Sequence, residues 1–215
     1  NLREITLPKH ITTLGDGSSS YTTGAFRNCS SLETIPNIKQ LTSIGNYSFY
    51  NCSNLVFKND DLVNTTRIGT SAFHNCTSLI FDELNLPSLT SLGENAFYGT
   101  KIKKISMDKV TTLTNASSSS MTFGDRAILE EVNIPSVKVF PIYSFYNYAA
   151  LKKVDINWPE VTVINRYAFT GCTSLKSVYM NSMTNINTAN VFDGCTKLTY
   201  ISAPNLTTLT AKVRH

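Results

Sequence analysis

Apolar and small polar residues recur along this chain in one unit of 22 to 26 residues. Each unit contains a small residue followed by Phe, a Gly, Asn or Asp two positions later, then usually Cys, and shortly afterwards Leu. Self-similarity at such a period predicts a solenoid, in which each coil buries its apolar face against its neighbours. The Phe positions that mark the units are Phe26, Phe49, Phe73, Phe97, Phe123, Phe145, Phe169 and Phe192.

Each unit predicts a short buried strand before its Phe. In one unit, alternation at Val132 and Ile134 fits a strand with one buried face, and Pro135 ends it because proline cannot donate to a sheet ladder. A second apolar pair follows in most units, as Leu89 and Leu92 do, and is consistent with either a second strand or an extended edge. The segment that carries the Phe is predicted to be a short helical turn.

The residue two positions after each Phe is always Gly, Asn or Asp, the types that best tolerate a left-handed backbone. We therefore expect this position to close each turn, with no functional role. Its members are Asn28, Asn51, Asn75, Gly99, Asp125, Asn147, Gly171 and Gly194. Two units contain extra Ser- and Gly-rich segments, at 15–24 and 115–120, which predict flexible loops.

The repeat resembles the leucine-rich repeats of the BspA-like surface-protein family. The resemblance is carried by the segments 44–55, 92–97 and 168–178, whereas Thr100, Arg126 and Tyr148 replace the Cys in the central units. It implies a protein displayed on or secreted from bacteria such as Bacteroidetes, with an extracellular or cell-surface location and a role in adhesion. The family motif is a packing motif, so it transfers no binding residue.

The expected fold is therefore one leucine-rich-repeat solenoid over residues 1–215, of α/β type and right-handed. It should contain about nine coils of 22–26 residues, with short parallel strands and one short helical turn per coil. Because both ends read as the interior of a repeat and show no polar cap, we expect a fragment of a longer surface protein.

Composition narrows the functional classes. Charged residues make up only 16% of the chain, and the net charge of +4 is scattered and not collected in a basic block. We therefore expect no nucleic-acid binding. No run of 18 apolar residues is present, so we expect no membrane insertion within this chain. Because its first residues read as the interior of a repeat, we also expect that they are not a signal peptide.

The five cysteines, Cys29, Cys52, Cys76, Cys172 and Cys195, all occupy one repeat position. Neighbouring coils about 4.8 Å apart would allow a disulfide, but parallel side chains and an odd count favour buried free thiols. Clustered metal ligands, HExxH, GxSxG and phosphate-binding Gly loops are missing from the sequence, so we expect no enzyme, no metal and no cofactor. His74 precedes Cys76 by two residues and is interpreted as a surface residue.

Charged pairs recur just before or within the strands of successive coils. They are Lys103-Lys104, Glu130-Glu131 and Lys152-Lys153. Alternating signs on neighbouring strands predict ion pairs between coils, which serve register and solubility more than binding.

Aromatic side chains provide the sharpest candidate site. They share two positions of the Phe segment in successive units, and we take as candidate ligand-binding residues Tyr47, Tyr50, His74, Tyr98, Tyr143, Tyr146 and Tyr167. Tyrosine offers rigid amphipathic contact area that suits protein or glycan recognition. The alternative is that the rings only cover the turns and pack on one another.

The sequence thus favours a non-enzymatic cell-surface or secreted binding module. Its expected partner is a protein, such as a host extracellular-matrix or cell-surface protein, bound in adhesion or another protein–protein interaction. The alternatives are a structural spacer and a glycan-binding module of a larger multidomain surface protein. The oligomeric state stays open.

Overall fold

A computed structural model describes residues 1–15, 24–114, 117–120, 122–154, 160–186 and 188–209. Within these ranges the chain forms short strands of two or three residues, all paired in parallel. The strands are β1 (Thr13–Leu14), β2 (Ser43–Ile44), β3 (Arg67–Ile68), β4 (Ile80–Phe81), β5 (Leu84–Asn85), β6 (Ser91–Leu92), β7 (Lys101–Ile102), β8 (Lys104–Ser106), β9 (Glu131–Asn133), β10 (Val139–Phe140), β11 (Lys153–Val154), β12 (Val163–Ile164), β13 (Ser177–Tyr179), β14 (Asn185–Ile186), β15 (Tyr200–Ser202) and β16 (Thr208–Leu209).

The main sheet takes one strand from each of six stretches of chain, in the order β15-β13-β11-β9-β8-β5. A second series of parallel strands forms at the second apolar pair of the units. It consists of the sheet β1-β2-β3-β6 and the pairs β10-β12 and β14-β16. Separately, β4 pairs with β7. The second strand that the sequence left open is therefore present, and Leu92 lies in it. The parallel solenoid expected from the repeat is confirmed.

The solenoid has about 7 turns, fewer than the nine expected. The first unit is one reason why the number of sequence units exceeds the number of turns. Its first segment joins the next coil through a single bridge between Glu4 and Thr34, and not through a full strand.

Hydrogen-bonded turns replace the helical turn expected at each Phe. Within the described ranges there is no α-helix, and the one 3₁₀ helix, Ile38–Gln40, contains no Phe. The backbone N–H of Phe49 donates to the carbonyl of Ala72 at 2.8 Å, and that of Asn51 donates to the carbonyl of His74 at 2.8 Å. Because these N–H groups bind the next coil, they are not free to make the hydrogen bonds of a helix.

The prediction of a left-handed backbone two residues after Phe is confirmed at seven of eight positions. The φ angles there lie between 57° and 75°. The prediction is wrong at Asp125, where the preceding Gly124 takes a φ of 122° instead. The Asp125 side chain accepts a hydrogen bond from the backbone N–H of Ala127 at 2.8 Å, which closes a different turn.

The phenylalanines form the centre of the core. Their rings stack in two runs, Phe26 to Phe97 and Phe123 to Phe192, with centroids 5.1 to 5.7 Å apart and planes within 15° of each other. Coils approach closely at the turns: a Cβ on Gly69 would lie 2.6 Å from the backbone nitrogen of Asn46. Glycine is therefore required at this position, four residues before Phe73, for the coils to stack.

All five cysteines are free thiols, as the sequence favoured. The Sγ atoms of Cys52, Cys76, Cys172 and Cys195 donate to the carbonyl of a Phe in the preceding coil at 3.0 to 3.1 Å. Burial raises the pKa of the Cys52 thiol to about 12. Cys29 is only half-buried.

The ion pairs expected between coils are confirmed on the main sheet. Lys104 Nζ lies 3.3 Å from Glu131 Oε2, and Lys152 Nζ lies 2.8 Å from Glu130 Oε1. Lys103 pairs with a carboxylate that the sequence did not single out, because its Nζ lies 2.6 Å from Asp82 Oδ1. Such exposed pairs contribute about 0–1 kcal/mol each.

The second Ser-rich segment was expected to be a flexible loop, but its described part, 117–120, is tied down. Ser120 Oγ donates to Glu94 Oε1 at 2.5 Å, and the Arg126 guanidinium donates to the carbonyls of Ser118 and Ser120 at 2.7 and 2.8 Å. Residues 16–23, which make up nearly all of the first such segment, and residues 115–116 lie outside the described residues.

Candidate ligand-binding edge

The seven candidate residues lie on the turns that carry the phenylalanines, which we call the turn edge. The structure brings them together in two groups. The first aromatic cluster contains Tyr47, Tyr50, His74 and Tyr98, and the second aromatic cluster contains Tyr143, Tyr146 and Tyr167.

The first aromatic cluster is a column of stacked rings. The centroids of Tyr50 and His74 lie 4.5 Å apart, those of His74 and Tyr98 lie 4.3 Å apart, and both ring pairs are parallel within 13°. The Arg27 guanidinium carbon lies 5.0 Å from the Tyr50 centroid, within the range of a cation–π contact. Tyr47 packs beside Tyr50 at 6.0 Å. A cation and three rings thus follow one another along successive coils.

His74 differs from the surface residue that was expected. It is half-buried between two tyrosine rings, and this burial lowers the pKa of its imidazole. Its Nδ1 atom is buried and has no hydrogen-bond partner among the described residues. The neutral imidazole is therefore the form that this column favours.

The second aromatic cluster has the same ingredients in another arrangement. Tyr143 and Tyr167 stack at 5.2 Å with planes 4° apart, and Tyr146 meets Tyr143 edge-on at 5.2 Å and 82°. Arg166 lies 5.1 Å from the Tyr167 centroid, and Arg126 lies 5.8 Å from that of Tyr146. Each cluster therefore combines tyrosine rings with at least one guanidinium group.

Three of the tyrosines occupy an unfavourable backbone conformation. The φ angles of Tyr47, Tyr143 and Tyr167 are 55°, 62° and 62°. A left-handed backbone costs an ordinary residue about 1–2 kcal/mol, and a bulky residue there is an outlier. The same position holds Asn95 and Asn190 in other coils, where asparagine suits it better.

The accessible parts of the clusters are ring edges and hydroxyl groups. Tyr47 is only 7% exposed, and the other six candidates are half-buried. Face-to-face stacking covers both faces of the His74 ring, one face of each tyrosine beside it, and one face each of Tyr143 and Tyr167. A sugar that stacks on an aromatic ring needs an open face, which the His74 ring does not offer.

Sequence reasoning missed the arginines of both clusters. Arg27 occupies the same repeat position as Tyr50, directly after Phe, and that shared position was the available signal. Arg166 directly precedes Tyr167. It also missed Tyr179 and Tyr200 on the main sheet, whose rings lie 5.5 Å apart.

Neither a metal site nor a membrane-spanning helix is found within the described ranges. Among the described residues, no three His, Cys, Asp or Glu side chains come close enough together to hold a metal ion. The described part of the chain also contains no helix with the length and apolarity that crossing a bilayer requires.

Stacked coils with parallel strands and a repeating Leu, Phe and Cys core define a leucine-rich-repeat solenoid. The model of the BspA type leucine rich repeat region matches this chain in 6 copies, over residues 1–123 and 114–213. The chain belongs to this family.

Two solved structures are similar to the chain. One is a leucine rich cell surface protein from Faecalibacterium prausnitzii A2-165, which is 20% identical, with 94% of this chain and 79% of that chain covered and a TM-score of 0.39. The other is a leucine-rich repeat protein from Bacteroides ovatus ATCC 8483, which is 18% identical, with 96% and 74% covered and a TM-score of 0.34. No curated protein matches the chain.

Proposed function

We propose that this chain is a non-enzymatic binding module, on the cell surface or secreted, that holds a protein ligand against the two aromatic clusters of the turn edge. The observation that carries the proposal is the left-handed backbone at Tyr47, Tyr143 and Tyr167. Strain of this kind is concentrated at functional sites. Asparagine would relieve it at these positions, as it does in other coils.

The composition of the clusters supports a protein as the ligand. Tyr and Arg are enriched in the residues that dominate the binding energy of protein interfaces. Stacking already fixes most of the rings, so little side-chain entropy is lost when a partner binds. The two clusters are separated by the coil of Gly124, which has no side chain at the position between Tyr98 and Tyr146, so one partner can reach both.

The kind of ligand follows from the family resemblance and is part of the proposal. Adhesion to a host extracellular-matrix or cell-surface protein is the role that BspA-like repeats suggest. A pure spacer would not need strained tyrosines beside arginines. A glycan-binding module would need open ring faces, and neighbouring rings together with Arg27 and Arg166 occupy most of those in the two clusters.

The test is binding of matrix proteins to the immobilised, folded protein, measured by biolayer interferometry. Fibronectin, fibrinogen, laminin and collagen form the panel. The variants are Tyr98→Ser for the first cluster and Tyr167→Ser for the second, with circular dichroism to verify folding. The matched control is Ile80→Ser, which removes an exposed apolar side chain from β4, outside the turn edge.

We expect at least one protein of the panel to bind and each cluster variant to weaken this binding by about thirtyfold, the loss of about 2 kcal/mol that marks an interface hot spot. The control should bind as the parent does. Absence of binding across the panel contradicts the proposal, as does an equal loss in the control. Binding to a glycan array that depends on the same tyrosines would establish the glycan alternative.

A further inference from the structure

The outward side of the main sheet changes character towards its C-terminal strands. In the middle of the sheet, lysines face carboxylates of neighbouring coils, as in the pairs Lys104–Glu131 and Lys152–Glu130. Lys176 occupies the position equivalent to Lys152 one coil further on. It is exposed and has no ion-pair partner within the described part of the chain. The alternation of charges therefore ends in an uncompensated positive charge.

Two tyrosines lie beside this lysine. The backbone N–H of Tyr200 donates to the carbonyl of Lys176 at 3.3 Å, and strand register pairs Tyr200 with Ser177. Tyr200 is 53% exposed, and its ring centroid lies 5.5 Å from that of Tyr179, with the planes tilted by 51°. We call Lys176, Tyr179 and Tyr200 the tyrosine–lysine face.

We propose that the tyrosine–lysine face is a second binding surface, distinct from the turn edge, and that it takes an acidic, extended segment of polypeptide. An uncompensated lysine favours a carboxylate, and its charge selects and steers such a partner. An exposed tyrosine supplies the apolar anchor that a hot spot needs. The lysines in the middle of the sheet already hold carboxylates, so a partner would have to displace those first.

The shape of the face favours a polypeptide over an acidic saccharide. Two contacting rings tilted by 51° form an angled surface, whereas a saccharide ring packs best on a flat platform. Small side chains adjoin both tyrosines, since Ser177 is in register with Tyr200 and Ser202 is in register with Tyr179. The two rings are in contact at a centroid distance of 5.5 Å, so a side chain of an extended peptide can pack over them while a neighbouring carboxylate reaches Lys176.

The test uses three fluorescent polymers: a random copolymer of glutamate and tyrosine, polyglutamate, and polysialic acid. Binding to the whole chain is measured by fluorescence anisotropy at low and high salt. The variants are Lys176→Gln and Tyr200→Ser. The matched controls are Lys109→Gln, at an exposed lysine outside the main sheet, and Val139→Ser, at an exposed apolar residue of β10.

We expect the copolymer to bind more tightly than polyglutamate. Lys176→Gln should weaken it by about two- to fivefold, the effect of one exposed charge pair, and should reduce its salt dependence. Tyr200→Ser should weaken it by about fivefold or more and remove its advantage over polyglutamate. Both controls should bind as the parent does. Neither Lys176 nor Tyr200 belongs to the turn edge, so this result is independent of the function proposed for that edge.

Three outcomes overturn the proposal. The first is unchanged binding in both variants. The second is an equal loss in Lys109→Gln, which would mean that net charge alone attracts the polymer. The third is polysialic acid binding as tightly as the copolymer and through the same residues, which would assign the face to acidic glycans.

Discussion

Replacement of Tyr143 by Asn separates the backbone strain at the turn edge from the packing of the ring. The φ angle of Tyr143 is 62°, and Asn95 and Asn190 adopt a similar angle at the equivalent position. The Asn variant should therefore keep the turn. It removes the stacked contact with Tyr167 and the edge contact with Tyr146, both at 5.2 Å.

The opposing contributions are of similar size. Relief of the left-handed tyrosine stabilises the fold by about 1 kcal/mol. Loss of two partly exposed ring contacts costs about 0.5–1 kcal/mol each. We therefore expect the free energy of unfolding to change by no more than about 1 kcal/mol, while binding of a protein ligand at the second cluster is lost.

The assay is urea unfolding followed by circular dichroism, with Tyr143→Ala and Tyr143→Phe as controls. The Ala variant loses the ring and keeps the left-handed backbone, which alanine disfavours. It should therefore be the least stable of the series, with a free energy of unfolding about 2 kcal/mol below that of the parent. The Phe variant keeps both ring and strain and should match the parent. If Tyr143→Asn proves as destabilising as Tyr143→Ala, backbone conformation is not the source of strain and the reasoning fails.

Three further outcomes are expected. Asn51 has a φ of 59°, and its side-chain amide is hydrogen-bonded at 3.1 Å to the asparagines of both neighbouring coils. Asn51→Ala should lower the free energy of unfolding in urea by about 2 kcal/mol, and Asn51→Gly should lower it by clearly less because glycine tolerates the left-handed backbone. Equal losses in the two variants would contradict this explanation. Burial raises the pKa of the Cys52 thiol to about 12, so a thiol reagent at pH 8 should leave it unmodified in the native protein while labelling Cys29, as mass spectrometry can verify. Burial lowers the pKa of the His74 imidazole, so as the pH falls below the ordinary value of 6.5 the unfolded chain binds a proton at His74 before the folded chain does. The free energy of unfolding of the parent should therefore fall below that pH. A similar fall in His74→Gln would exclude His74 as its cause.

Features that repeat in every unit could be predicted from the sequence. The Phe columns and the left-handed asparagines follow from one residue type recurring at one period. The departure at Asp125 could not be predicted, because it depends on Gly124 and on a local hydrogen bond to Ala127. The helical turn was predicted wrongly, since spacing does not reveal whether backbone N–H groups bind within a coil or between coils.

The candidate site was only partly visible in the sequence. Shared repeat positions placed the tyrosines on one edge, and the structure groups them into two clusters. The left-handed backbone at Tyr47 could not be predicted from Tyr47 itself, because tyrosine disfavours this conformation. Asn95 at the same repeat position tolerates it and was the available signal. Tyr179 and Tyr200 were missed because the equivalent sheet positions of neighbouring coils hold other residue types, such as Ser202 and Ser177, and a search for periodicity finds only what recurs.

The hydrogen bonds between equivalent residues also have a mechanical consequence. Asn51 and Asn75 are bonded side chain to side chain although 24 residues separate them. Tension between the first and last coils acts along the direction of stacking, so it loads such bonds one coil at a time. Each coil that opens releases about 80 Å of extended chain. The stack is thus an extensible tether, and single-molecule pulling should show it lengthening in steps of that size.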